Sequence, residues 1–321
     1  MNHLYIKRST VFGIVACLIS SICTLPIFRY MLFRDSNSSS ILERVSPESF
    51  AFTGDIVNVL ATLTLIIPYF IDVYIFRQFT IANYSVVALA LNVIIIMWFF
   101  SNCYNIPTFL LKIFLVMPAS LMIFGSGNKE IYSVIALVIF MLQFDARNGS
   151  PKKVGVSVRP IFIYALFFRP YYVVLAICLK LGRPFLIGSL LLLLFLTSVY
   201  IDQLSPVLDG IINRRSLPQS YLANSAVEQV FIVTDIRSFF YHIIDSLVLT
   251  CIPLLGDMSL KNLFLQIYIV VTITLAAISD FYIVKAIFVL WIFFILMDPD
   301  LGTFLRHIGA LFPLFKGVRF T

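Results

Sequence analysis

Charged residues are scarce in this chain of 321 residues, since Lys, Arg, Asp and Glu make up only 12% of it. Soluble domains carry about twice that share. Hydrophobic residues account for 60% of the sequence, and the mean hydropathy is +0.99. A soluble globular fold could not cover so much apolar side-chain surface, so the composition favours a protein embedded in a membrane.

The motifs of several enzyme classes are missing. No two cysteines form a CxxC pair, which argues against a disulfide framework or a thiolate metal site. The sequence has no HExxH motif and no nucleophile elbow, and Asp298-Pro299-Asp300 has the spacing of a DxD metal motif but contains proline. Gly125 to Asn128 is a glycine turn without phosphate-loop spacing. We therefore expect neither a metal nor another cofactor.

Long apolar runs are what the sequence has in abundance. Crossing a bilayer takes about 20 apolar residues in a helix that satisfies its own backbone hydrogen bonds. About ten runs (nine to eleven) meet this description, which predicts an all-α polytopic integral membrane protein with a single membrane domain over residues 1–321. The predicted spans are 10–32, 56–76, 80–100, 107–124, 130–144, 158–179, 184–200, 237–256, 262–279 and 281–297. A short amphipathic segment over 302–315 follows them.

Two connections are longer than the others, 33–55 and 201–236. The second is the largest segment predicted to lie outside the membrane, and a loop of this length usually has a function. A disordered connector is the alternative. The net charge of +7 is spread over loops and span ends, so it indicates membrane-flanking anchors rather than a nucleic-acid partner.

The charge distribution does not orient the chain. With the N-terminus inside, alternating sides put Lys7 and Arg8 on the inner side and Arg147 to Arg159 on the outer side. Counted in this way, ten cations fall on each side. The positive-inside rule therefore gives no answer from the sequence alone.

Arg169 is the clearest charge inside a predicted span, because charged side chains are costly there and mark functional sites by default. It lies in the run Phe167-Phe168-Arg169-Pro170-Tyr171-Tyr172, where the proline favours a kink or break. A guanidinium flanked by aromatic rings suits a diphosphate or another anion. The alternative is that the run forms two half-helices with Arg169 at their interface.

A second group of polar residues begins the span predicted at 237–256. Asp235, His242 and Asp245 fall within about a quarter turn of one another on a helix, which fits a carboxylate and an imidazole that transfer a proton. Arg237 lies beside them. Two structural roles compete with proton transfer: Asp235 caps the helix, and His242 bonds a neighbouring backbone group.

The string from Asp300 to His307 reads D-L-G-T-F-L-R-H and is followed by Pro313. It resembles a string near the C-terminus of bacterial O-antigen polymerases of the Wzy type, and the F-F-R-P-Y-Y run at Phe167 to Tyr172 is similar to a segment of the same polymerases. Their overall architecture also resembles this one, with many helices and one long loop late in the chain.

The resemblance implies a glycosyltransferase at the periplasmic face of the bacterial inner (plasma) membrane. Such an enzyme moves a growing glycan from one undecaprenyl-diphosphate carrier to the next carrier-linked repeat unit, with the 201–236 loop in the periplasm. A flippase and a chain-length regulator of the same pathway are the expected partners. Cations that would bind the leaving diphosphate are Arg169, Arg214, Arg215, Arg237 and Arg306.

The acceptor hydroxyl of such a reaction needs a base, for which the candidates are His242, His307, Asp235 and Asp245. Tyr171, Tyr172 and Tyr221 could stack on sugar faces. Two rival functions remain, a flippase or transporter of lipid-linked oligosaccharide and a non-catalytic membrane subunit. The long loop and the lack of an internal repeat favour the enzyme.

Overall fold

The computed structural model describes residues 7–25, 86–124, 130–146, 157–169, 172–181, 235–251, 260–278 and 301–318, with single positions at 284, 286, 287, 290, 291 and 294. Every regular element in these ranges is helical, which confirms the all-α prediction for this part of the chain. The spans predicted at 56–76 and 184–200 lie outside the described residues, as does nearly all of the 201–236 loop.

The helices follow the apolar runs closely, and most begin or end within a few residues of the predicted bounds. In chain order they are α1 Arg8–Cys23, α2 Val86–Phe100, α3 Ile106–Ala119 with a π-helical turn Ser120–Phe124, α4 Ile131–Ala146, α5 Arg159–Phe167, α6 Tyr172–Leu181, α7 Ile236–Cys251, α8 Leu260–Ile278, α9 Leu301–Gly309 and a 3₁₀ turn Phe312–Gly317.

Two predicted elements differ from the structure. The span predicted as one run over 158–179 is interrupted, because α5 ends at Phe167 and α6 begins at Tyr172; the break expected beside Pro170 is confirmed. The segment predicted over 302–315 is a continuous helix only as far as Gly309, and the 3₁₀ turn that follows is buried from Phe312 to Lys316.

The chain divides into two compact units. Unit 1 comprises Met1–Pro170 and Gly309–Thr321, and unit 2 comprises Tyr171–Ile308. Unit 1 therefore contains α1 to α5 and the C-terminal 3₁₀ turn, and unit 2 contains α6 to α8 and most of α9. The single domain inferred from the sequence stays a prediction.

In unit 1, α1 and α2 pack antiparallel through small and polar residues. Gly13 lies against Met97, since a Cβ atom built on this glycine would be 3.0 Å from the methionine sulfur. One turn further on, the Cys17 thiol lies 3.5 Å from the carbonyl oxygen of Val93. Small residues allow this close backbone approach.

A buried polar trio joins α1, α2 and the π-helical turn of α3. The Ser20 hydroxyl is bonded to the Asn92 side chain, at 3.1 Å from Oδ1 and 2.8 Å from Nδ2, and to the Ser120 hydroxyl. The turn that carries Ser120 follows Pro118, whose missing N–H interrupts the α-helical hydrogen bonds and favours a local π geometry.

Helices α4 and α5 are also antiparallel. The backbone N–H of Ser157, before α5, donates to Gln143 Oε1 near the end of α4, while Arg169, after α5, contacts Glu130 at the start of α4. These two contacts are separated by most of α4, whose 16 residues extend over about 24 Å.

The two ends of unit 1 can now be distinguished. Asp145, at the end of α4, bonds Lys316, and the Lys316 carbonyl bonds Asn102 between α2 and α3. We call this the lysine end. Phe12 of α1 stacks on Phe109 of α3 at 4.8 Å, so the N-terminus of α1 lies at the lysine end too.

This arrangement places the starts of two helices at one end of unit 1. Counting crossings from the N-terminus places Lys7 and Arg159 on opposite sides. In the structure, the start of α1 and the start of α5 both lie at the lysine end of unit 1. Because α2 packs antiparallel to α1, the end of α1 and the start of α2 lie at the same end of unit 1. The assignment of these ends to the two sides of a membrane stays a prediction.

In unit 2, α7 packs against α8. Gln266 and Thr272 of α8 are buried, and the Thr272 hydroxyl donates to the Tyr268 carbonyl one turn earlier at 2.6 Å. His307 of α9 packs against Phe294, with ring centroids 5.1 Å apart.

Among the described residues, one helix is long and apolar enough to cross a membrane, Ile106–Phe124. Four shorter apolar helices accompany it, Arg8–Cys23, Val86–Phe100, Ile131–Asp145 and Gln266–Ile278. The count of about ten spans stays a prediction.

Candidate functional site

Arg169 and Glu130 form an ion pair at the end of unit 1 opposite the lysine end. The Arg169 Nη2 atom lies 2.8 Å from Glu130 Oε1. The Glu130 side chain is 1% exposed and the Arg169 side chain 25% exposed. The carboxylate is thus the buried partner, and it fixes the guanidinium of a side chain that is partly exposed. A guanidinium held in this way has a fixed orientation.

The backbone around this pair is ordered by local bonds. The Glu130 carbonyl accepts hydrogen bonds from the Ser133 amide, the Ser133 hydroxyl and the Val134 amide, which begins α4. Phe168, beside the arginine, stacks on Tyr132 of α4 at 5.1 Å and on Tyr164 of α5 at 5.3 Å. These aromatic contacts hold the end of α5 against the start of α4, and so they fix the position of Arg169.

The lysine end of unit 1 holds a second polar cluster, which we call the lysine cluster: Trp98, Phe99, Asn102, Lys112, Asp145 and Lys316. Lys112 lies inside α3 and is 1% exposed. Its ammonium donates to the Phe99 carbonyl at 2.9 Å, to Asn102 Oδ1 at 2.8 Å and to the Lys316 carbonyl at 3.2 Å. It also lies 4.8 Å from the centre of the Phe99 ring.

Lys316 completes this cluster with its own side chain. Its ammonium bonds the Asp145 carboxylate and lies 4.4 Å from the centre of the Trp98 ring. The C-terminal turn is thereby attached to α2, α3 and α4 by groups that carry charge. The Lys112 ammonium has three N–H donors, and it makes three hydrogen bonds to protein oxygens. This cluster therefore stabilises the packing of unit 1 rather than binding a ligand.

Asp235 occupies the capping position of α7. Its Oδ1 atom accepts from the Ser238 amide at 2.7 Å, and its own amide donates to the Ser238 hydroxyl at 2.9 Å. This reciprocal arrangement is a capping box. The hydrogen bonds from Ser238 lower the pKa of the Asp235 carboxyl below its ordinary value. This geometry is that of a helix cap, which was the structural alternative to proton transfer at Asp235.

Arg237 lies one turn before Tyr241 on the exposed face of α7. Its Nε and Nη2 atoms lie 3.4 and 3.3 Å from the Tyr241 hydroxyl, and its guanidinium lies 5.5 Å from the centre of that ring. Both side chains are exposed. The role predicted for Arg237 in binding a diphosphate stays a prediction.

The two histidines among the candidate bases are both buried. His242 of α7 is 0% exposed, and His307 of α9 packs against Phe294. Arg306, the neighbour of His307, is partly exposed. Asp245 belongs to α7, although its side chain lies outside the described part of the molecule.

The remaining predicted residues contribute less. Tyr172 begins α6 and is buried, so its ring belongs to the packing of unit 2. Tyr171, Arg214, Arg215 and Tyr221 lie outside the described residues. Of the predicted site residues that are described, Arg169 lies in unit 1 and Asp235, Arg237, His242, Arg306 and His307 lie in unit 2.

Sequence reasoning missed the partners that matter most in unit 1. Glu130 follows Lys129 at the start of a predicted span, where local charge balance is enough to account for a carboxylate. Lys112 carried a usable signal, since it is a charged residue within the apolar run 107–124. Its acceptors include two backbone carbonyl groups. Every residue has a carbonyl group, so the sequence does not indicate which ones bond Lys112.

No protein-family model, no curated protein and no solved structure matches this chain. Within the described ranges, no group of three or more His, Cys, Asp or Glu could hold a metal ion. The chain's own residues are therefore the basis for assigning it a function.

Proposed function

We propose that this chain is a multi-pass protein of the bacterial inner membrane that polymerises undecaprenyl-diphosphate-linked oligosaccharide repeat units. The proposal has two parts, a membrane location and a reaction on a lipid-linked diphosphate. Different observations support them, and different experiments test them.

The orientation of side chains on α1 supports the membrane location. Its buried residues are small or polar: Ser9, Gly13, Ala16, Cys17 and Ser20. From Val11 onward its exposed residues are large and aliphatic, with Leu18 61% exposed. A helix in water has the opposite arrangement, whereas a helix in lipid packs through small residues and turns its aliphatic side chains to the acyl chains.

Helix α8 repeats this pattern in unit 2. Gln266 and Thr272 are buried, while Leu263, Ile267 and Ile278 face outward. Burying an amide and exposing isoleucine is unfavourable in water and favourable in a bilayer. About ten such spans across the sequence fit the apolar runs.

The pairing of Arg169 with Glu130 is the observation that carries the proposed chemistry. A buried carboxylate holds a partly exposed guanidinium at a helix break, next to stacked aromatic rings. A fixed arginine stabilises the charge that develops on a departing diphosphate, because its donors need no rearrangement during the reaction. The resemblance of the runs at Phe167–Tyr172 and Asp300–His307 to Wzy-type polymerases supports the same reaction.

The roles of the other residues follow from this proposal. Arg237 and Arg306 are further candidates for contacts with the diphosphate, as are Arg214 and Arg215. His242, His307, Asp235 and Asp245 are the candidates for the base that accepts the proton of the attacking hydroxyl. The protein partners would be the flippase and the chain-length regulator of the same pathway.

The test is deletion of the gene in its native bacterium, followed by gel separation of the surface polysaccharide. Complementation uses the wild-type gene, Arg169→Gln and the matched control Arg159→Gln, an exposed arginine at the start of α5. We expect a collapse of the ladder to a single repeat unit, restored by wild type and Arg159→Gln and not by Arg169→Gln. An unchanged ladder after deletion would overturn the polymerase proposal.

A flippase is the second candidate, and the break between α5 and α6 favours it, since transporters often use broken helices at their substrate sites. The same gel separates the two functions. Loss of a flippase removes the repeat unit from the surface altogether, whereas loss of a polymerase leaves one unit attached.

A further inference from the structure

The direction of each helix in unit 1 sorts its flanking charges between two ends. The start of α1, the end of α2, the start of α3, the end of α4 and the start of α5 lie at the lysine end. The Arg169–Glu130 pair lies at the opposite end of α4 and α5. This assignment depends on packing contacts and not on a count of hydrophobic runs.

The cations are unequally divided between these ends. The described flanks at the lysine end carry the exposed cations Lys7, Arg8 and Arg159, besides Lys316, which is paired with Asp145. Among the described residues, the opposite end carries one cation, Arg169, which is paired with Glu130.

We propose that the lysine end of unit 1 faces the cytoplasm, where its basic side chains contact the anionic headgroups of the inner leaflet. This inference rests on the membrane location in the proposed function. Cytoplasmic flanks of membrane helices are enriched in Lys and Arg, and each such residue near an anionic leaflet contributes to binding. Trp98 and the exposed Tyr104 at the same end are residue types that concentrate at the headgroup level.

The orientation has a direct consequence for Arg169. If the lysine end is cytoplasmic, the Arg169–Glu130 pair lies at the external face of the membrane. An anion bound there would be one delivered across the bilayer, such as a diphosphate on a flipped lipid carrier. Nucleotide-linked donors, which are made in the cytoplasm, would have no access to this site.

Labelling of single cysteines with a membrane-impermeant maleimide tests the orientation. The parent protein has its five native cysteines replaced by alanine or serine and must be recovered in the membrane fraction at the wild-type level. Tyr104→Cys and Gly317→Cys report on the lysine end, and Leu25→Cys, just after α1, reports on the other end; all three positions are exposed.

In intact spheroplasts, we expect the reagent to label Leu25→Cys nearly to completion and to leave Tyr104→Cys and Gly317→Cys at background. Lysis of the spheroplasts should bring the last two to the level of Leu25→Cys. The reverse pattern would overturn the proposed orientation and leave the membrane location intact. Recovery of the protein in the soluble fraction would overturn the membrane location, and with it this inference.

Discussion

Lys112 donates a hydrogen bond to the backbone carbonyl oxygen of Lys316, although 204 positions of the sequence separate them. Asn102 donates to the same oxygen at 3.2 Å. One carbonyl of the C-terminal turn is therefore bonded by two side chains from the α2–α3 hairpin. The turn is held at a defined place in unit 1 by polar contacts, in addition to its buried apolar side chains.

Replacing Lys112 by methionine should destabilise unit 1 by about 2 kcal/mol, because the Phe99 and Lys316 carbonyls and the Asn102 side chain lose a charged donor in a buried site. The measurement is thermal unfolding of the purified protein in detergent. Lys180→Met, at an exposed lysine in the last turn of α6, is the matched control and should change little. Equal effects of the two substitutions would contradict the role assigned to Lys112.

Asp145→Asn should cost less, on the order of 0.5 kcal/mol, because the Asp145 side chain is 44% exposed and solvent screens its interaction with Lys316. High salt should also reduce the stabilisation that the Asp145–Lys316 pair gives the wild-type protein. Comparing unfolding midpoints of wild type and Asp145→Asn at low and high salt checks this. A loss as large as that of Lys112→Met would mean that the pair is far better shielded than its exposure indicates.

The polar trio of Ser20, Asn92 and Ser120 should show coupled energetics. Ser20→Ala leaves the Asn92 amide without its bonded hydroxyl, and Asn92→Ala leaves the two serines with one bond between them. We expect a coupling energy of about 0.6 kcal/mol in a double-mutant cycle, typical of interhelical hydrogen bonds in membranes. Strict additivity of Ser20→Ala and Asn92→Ala would show that these bonds do not stabilise the native packing.

Exchanging the charges of Arg169 and Glu130 separates structure from chemistry. Glu130→Gln alone should destabilise the protein by about 2 kcal/mol, less than for a fully buried pair because Arg169 is partly exposed. The double variant Glu130→Arg with Arg169→Glu restores opposite charges, so the amount of protein in the membrane should recover. Polymerisation should not recover, because no guanidinium then stands at position 169. Full recovery of the ladder would assign the pair a structural role only.

The capping carboxylate of Asp235 makes stability depend on pH. Its pKa is lowered in the folded protein by hydrogen bonds from Ser238, so folding favours the charged form. The contribution is fully present above the unfolded pKa of about 4 and is lost as the pH falls through the lower folded value. Asp235→Asn keeps an acceptor without a charge, so the unfolding midpoints of wild type and variant should differ at pH 6 and converge in acid. A constant difference across this range would contradict the linkage.

The described helices could be predicted from the sequence, because apolar runs and helix-breaking residues act on the chain locally. The end of α5 near Pro170 is one example, and the start of α7 at Asp235 is another. Both depend on a proline or a capping side chain within a few residues of the helix end.

Which helices pack against each other could not be predicted in this way. That α1 and α2 are antiparallel depends on how Gly13, Cys17 and Ser20 fit against residues more than 70 positions away. Each apolar run looks alike to a hydropathy count, so an assignment that simply alternates sides had no means of detecting this contact. The same limit hid Glu130 as the partner of Arg169, 39 positions apart.

The hydrogen-bond partners of Lys112 are synthesised at different times. Phe99 and Asn102 are translated shortly before Lys112. Two of the three hydrogen-bond acceptors of the Lys112 ammonium are therefore present once the α2–α3 hairpin has been synthesised. The last acceptor, at Lys316, arrives only when the chain is almost complete. A chain shortened before Lys316 would therefore keep the Phe99 and Asn102 contacts of Lys112 and lack the third.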